Sequence, residues 1–147
     1  MGPIAIALLF LPRLKELSEV TAMNAIVVNC NGNRVQVKSH IGCFEGIWCS
    51  DKSVEYRQYD FELASDDIIT QQSLRFSTIS VPSVGNYEDA IILNGLVEAA
   101  EDDVLFLRLS DDVLMLDHSH DSDLAQYVGR YVQVRLSEIK LYDTGIY

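Results

Sequence analysis

The densest concentration of potential chemistry in this chain is "DHSHDSD", residues 117–123, which sets two histidines among three aspartates. His118 and His120 stand two positions apart, a spacing that puts both imidazoles on one side of an extended strand. With neighbouring carboxylates, such a pair could hold a divalent metal for an enzyme or a small-ligand site. Two features weigh against that use. The stretch is rich in turn formers, and a catalytic metal needs a third ligand on a rigid element, with His40 the only other histidine. As a calcium loop it lacks the glycine and the closing glutamate of an EF-hand. The sequence therefore favours an acidic surface turn, with no cofactor.

Other reactive residues give weaker patterns. Cys30, His40, Cys43 and Cys49 could supply four ligands for zinc but lack the close C-x2-C pairs of structural sites. Three cysteines form no disulfide framework and point to free thiols in a reducing, cytoplasmic setting. Glu45 and Asp51 near Cys43 and Cys49 oppose a thiolate. No nucleophile elbow, phosphate-cradling glycine loop or dinucleotide fingerprint is present. An enzyme is the weaker expectation.

Charge is more informative. The chain of 147 residues carries 22 acids against 11 bases, a net charge of −11. That balance repels nucleic-acid backbones and anionic membranes alike and suits a basic protein partner. The acid is concentrated in Glu98, Glu101, Asp102, Asp103, Asp111, Asp112, Asp117, Asp121 and Asp123, against only Arg108, a net −8 over this segment. Tyr56 and Tyr142 are candidate aromatic anchors beside it. The expected function is a small acidic binding protein that engages a basic protein, in the manner of an immunity or antitoxin-like inhibitor. The alternative is a metal-dependent enzyme or small-ligand binder at His118 and His120. Self-association into a homo-oligomer is a further option.

These residues need a frame, and the pattern around them is strands and polar turns. "AIVVNC", "NGN" and "RVQVKS" read as a hairpin, with Val35 and Val37 alternating against Arg34, Gln36 and Lys38. Tyr59, Phe61 and Leu63 share a face, whereas Val54 and Tyr56 fall out of phase, so a bend is expected near Arg57. "ASDDIITQQS" reads as one helical turn capped by Ser65, and "PSVGNYED" as a loop. Four strands follow from residue 90 onward, the last with a bulge at Ser137–Glu138. No internal repeat is visible.

The expected fold is all-β and mainly antiparallel: a small bulged barrel of about seven to nine strands, with a two-sheet β-sandwich as the alternative. The tail "YVGRYVQVRLSEIKLY" resembles the closing strand of OB-type barrels. That resemblance implies an OB-like barrel and, by analogy, single-stranded nucleic-acid binding, which the net charge opposes. Residues 1–22 differ from the rest. Ile4–Leu11 is an apolar run too short to span a bilayer, and Leu14, Leu17 and Val20 recur at helical spacing after Pro12. They are expected to form a peripheral extension or short helix, leaving 23–147 as a single β-rich domain.

Overall fold

The computed structural model describes residues 22–119 and 123–145. The expected N-terminal helix lies outside these residues. The described chain folds into β1 (Met23–Asn31), β2 (Arg34–Ser39), β3 (Gly42–Trp48), β4 (Gln58–Ala64), β5 (Ile68–Ile69), β6 (Leu74–Phe76), β7 (Ser83–Tyr87), β8 (Ala90–Glu101), β9 (Val104–Leu109), β10 (Asp112–His118), β11 (Tyr131–Leu136) and β12 (Lys140–Asp143). A single 3-10 turn, Leu124–Tyr127, is the only helical element among them. The all-β expectation holds, but one barrel was expected and the chain builds a barrel plus a second sheet.

Strands β1-β2-β3-β12-β4 close into a barrel, with β12 parallel to β3 and antiparallel to β4. The other seven strands form a sheet ordered β5-β10-β9-β8-β11-β6, with β7 pairing β8 beyond β9. Its two outermost strands, β5 and β6, are consecutive in the chain and joined by the tight turn at 70–73, where Ser73 N donates to Thr70 O at 3.0 Å. The sheet therefore curls until its edges meet through one turn. Alternating side chains of both units meet in one continuous apolar core that includes Val35, Phe61, Leu107, Leu116, Val134 and Leu141.

The two units share one plan. A shift of 70 residues carries β2 onto β9 and β3 onto β10, end for end. The same shift carries the irregularity between Val27 and Asn29 in β1 onto that between Val97 and Ala99 in β8. Backbone bonds recur as well. Trp48 N donates to Asn33 O and His118 N to Asp103 O, both at 2.7 Å and related by the same shift. Val27 N donates to Arg57 O and Val97 N to Arg130 O, both at 3.0 Å, with the second acceptor three residues further along than the shift would place it.

The fifth strand is exchanged between the units. The segment after β4 supplies β5 and β6, which run parallel to β10 and antiparallel to β11 in the second sheet. The segment after β11 supplies β12, which closes the first barrel. Leu141 lies opposite Trp48 just as Ile69 lies opposite His118. The break at Ser137–Glu138 is where the chain crosses between units, so the single long final strand expected there is two strands in two sheets.

Local expectations fare unevenly. The bend before β4 is present. Ser65 does act as a local cap, accepting from Asp67 N at 3.1 Å, but the chain continues into β5 instead of a helix. The stretch read as a loop at 82–89 contains β7, which pairs along β8 and docks on the first barrel through Val84 N to Ile41 O at 3.1 Å. Gly42 permits that docking: its φ is +143° and an added Cβ would lie 2.0 Å from Val84 O.

Candidate functional site

The second sheet turns its outer face to solvent across β5, β10, β9 and β8. Inward positions on β9 and β10 are Leu105, Leu107, Leu109, Leu114 and Leu116, which leaves Val104, Phe106, Val113, Met115 and Asp117 facing out. The registers arrange these in rows. Ile68, Asp117, Val104 and Glu101 lie side by side at one end of the sheet, and Met115, Phe106 and Ala99 form the next row. Ile68 is 66% and Met115 59% exposed. An apolar strip thus lies open beside a row that carries two carboxylates.

More acid stands just past that row. The β8–β9 turn is Asp102–Asp103, with φ of +50° and +62°, the left-handed pair that a tight hairpin needs and that Asp tolerates better than most residues. Glu101, Asp102, Asp103 and Asp117 therefore gather at one end of the sheet. The rest of the expected acidic set goes elsewhere. Asp111 occupies the β9–β10 turn, at the opposite end of the strands. Glu98 is engaged by Arg108, whose Nε and Nη2 donate to its two oxygens at 2.5 and 3.2 Å. Asp123 caps the 3-10 turn by accepting from Ala125 N at 3.1 Å. Asp121 lies outside the described residues.

Asp112 is buried at 2% exposure, with Oδ2 lacking a partner. Burial pushes its pKa up to about 7; a hydrogen bond from the Val113 backbone pulls it down, Glu62 raises it further and Arg108 lowers it. It is a core carboxyl, unavailable to a partner. Parity reveals this in the sequence, because Asp112 falls in step with Leu114 and Leu116.

His118 shares that parity. Its ring is 4% exposed, with Nδ1 2.9 Å from Ser119 O and Nε2 buried without a partner. It points into the core, while His120 lies outside the described residues. Among the described residues no group of three or more His, Cys, Asp or Glu side chains is placed to hold a metal. All three cysteines are free thiols, and His40 is bound to Ser110 Oγ at 2.8 Å. His40 and Ser110 are equivalent under the shift of 70, so their bond marks a seam between the two units.

Tyr56 and Tyr142 belong to the first barrel. Tyr56 is exposed in the loop before β4, and Tyr142 faces outward on β12 opposite Glu62. The aromatic and aliphatic residues that accompany the acids are Phe106, Met115 and Ile68. Their signal in the sequence is alternation out of phase with the leucines.

A separate groove of about 640 Å³ opens between β6–β11 and β7, lined by Arg75, Arg135, Gln133 and Tyr87 among others. No helix among the described residues is long and apolar enough to cross a membrane. Comparison with protein-family models, with curated proteins and with solved structures finds no match.

Proposed function

We propose that this chain is a binding protein whose second sheet engages a basic protein partner through its outer face, acting as an inhibitor of immunity or antitoxin type. The observation that carries the reading is the strip formed by exposed Ile68 and Met115 with half-buried Phe106, beside Glu101, Asp102, Asp103 and Asp117. An apolar centre with a charged margin is the usual anatomy of a protein interface. Burying a Met, Ile or Phe side chain contributes roughly 1.5–3 kcal/mol, while the carboxylates accelerate encounter with a cationic surface and set orientation. The partner expected is a surface with apolar side chains flanked by Lys or Arg.

Free thiols fit a reducing, cytoplasmic setting. The first barrel fits the OB-type architecture that the C-terminal strand resembles, but the net charge of −11 opposes a nucleic-acid role for the chain. A metal-dependent activity has less support, because the His118 ring is turned into the core.

Selection of a random-peptide display library tests the proposal. On the wild-type protein we expect enrichment of peptides that combine apolar residues with Lys or Arg, and their binding should weaken steeply with salt. A Met115→Asp variant should lose them all, and an Asp102→Lys/Asp117→Lys variant should lose the basic ones. Recovery of the same peptides on all three proteins overturns the reading.

A further inference from the structure

The outer face of the second sheet on its other side carries the opposite charge. On β11, Val132, Val134 and Leu136 point inward and Gln133 and Arg135 outward; on β6, Leu74 is inward and Arg75 outward. The β6–β11 register sets Arg75 directly opposite Gln133. Arg135 is two residues further along the same strand, so the two arginines are diagonal neighbours, with Cα atoms about 7–8 Å apart.

Arg34, Arg57, Arg108 and Lys140 each pair with a carboxylate. Arg75 and Arg135 pair with none among the described residues, and no Asp or Glu lines the groove they enter. In a chain with twice as many acids as bases this is a local reversal of charge. At physiological salt the field of distant carboxylates is screened beyond about 8 Å. One acid, Asp89, lines an adjoining cleft with Arg135, and inside the groove itself the two guanidiniums are the only charged side chains among the described residues.

Arg75 is also oriented in advance. Its Nε donates to Gln133 Oε1 at 2.9 Å and its Nη2 donates to the same oxygen, which fixes the guanidinium plane with a neutral partner. The positive charge is undiminished, and the remaining N–H donors are free to form the forked contact that guanidinium makes with oxyanions. The groove, at about 640 Å³, is of small-molecule size. Gln72 brings an amide to it, and the exposed Tyr87 offers a flat ring on the β7 wall, whereas the Asn86 amide is held by Glu45 N at 2.9 Å.

We infer that this groove binds a small phosphorylated ligand of mononucleotide size, its phosphate held by Arg75 and Arg135 and its ring against Tyr87. The site is distinct from the acidic protein-binding face. It gives the chain a second, chemically opposite ligand.

The test is an NMR titration of isotopically labelled protein with inorganic phosphate, AMP and a short oligo(dT), each carried to millimolar concentration. We expect saturable shifts with AMP at Arg75 Nε, the Gln133 amide and Tyr87, and competition by phosphate at the same arginine. Arg75→Gln and Arg135→Gln each should weaken AMP binding about tenfold, and Arg75→Lys, which keeps charge without the fork, by less. Both arginines are exposed, so thermal melting should not change. Absence of a saturable shift, or equal AMP affinity in the Gln variants, overturns the inference. Tight, length-dependent oligo(dT) binding with weak AMP binding also overturns it, in favour of a single-stranded nucleic-acid site.

Discussion

The first barrel and the second sheet impose the same hydrogen-bond frame on different fillings. In the first, Trp48 meets Tyr59 edge-on with ring centroids 5.2 Å apart and Phe61 at 6.0 Å. Its polar edges are satisfied: Trp48 Nε1 donates to Lys52 O at 2.8 Å, and Tyr59 Oη accepts from Glu55 N at 3.1 Å. In the second, leucines and valines fill the equivalent volume. The position of Trp48 is taken by His118 and that of Gly42 by Asp112, each with a buried polar atom that has no partner. The frame fixes which positions face inward and leaves their chemistry open. One unit uses that freedom for packing, and the other carries two polar groups whose desolvation works against stability.

The largest test of this contrast is Phe61→Ala, which removes a ring that is 0% exposed from the aromatic cluster. It should cost about 3–5 kcal/mol by chemical denaturation. A much smaller loss would show that the aromatic filling is not what holds the first barrel. The second test uses pH. Since the folded-state pKa of Asp112 is raised to about 7 from 3.8, the folded protein holds a proton that the unfolded chain releases. That contribution is fully present below about pH 4 and is lost as pH rises through 7. Asp112→Asn should match the wild type in acid and exceed it at pH 8 by about 2–4 kcal/mol. An advantage that does not grow with pH would contradict the assignment.

A smaller effect is expected at the other end of β10. His118→Leu should stabilise the second sheet by about 1–2 kcal/mol by removing an unpartnered nitrogen, provided no ligand uses it; destabilisation would point to an unseen role for the ring. Smallest is the β8–β9 turn. Asp102→Gly should gain a few tenths of a kcal/mol, roughly up to 1, by relieving its left-handed backbone, whereas Gly32→Ala at the matching turn should lose about as much. Equal responses at the two turns would break the parallel between the units.

Much of the frame is legible from alternation. Val35 and Val37, Tyr59 and Phe61, Leu105 and Leu107 announce strands with one buried face, and the bend before β4 and the break after Leu136 follow from shifts in phase. The repeat is hidden because only the inward periodicity is shared. Trp48 and His118, Phe44 and Leu114, Gly46 and Leu116 occupy equivalent positions with little chemical likeness. The exchange of closing strands rests on pairing between residues far apart in sequence, which local pattern does not encode. The two-residue β5 and the glycine-bearing β7 are similarly set by their neighbours. The acidic run reads as one patch in sequence, yet successive hairpin turns project to opposite ends of a sheet, so proximity along the chain misleads. Parity alone would have moved Asp112 and His118 inside.

The exchange of closing strands has a consequence for biogenesis. When a ribosome has released the chain as far as β4, the first barrel has four of its strands and nothing to seal it, because the piece made next belongs to the other unit. That gap stays open until residues 140–143 emerge, after every strand of the second sheet has been made. The first barrel therefore matures only after the second sheet has been synthesised, and a truncation before Lys140 should leave the earliest-made half unsealed.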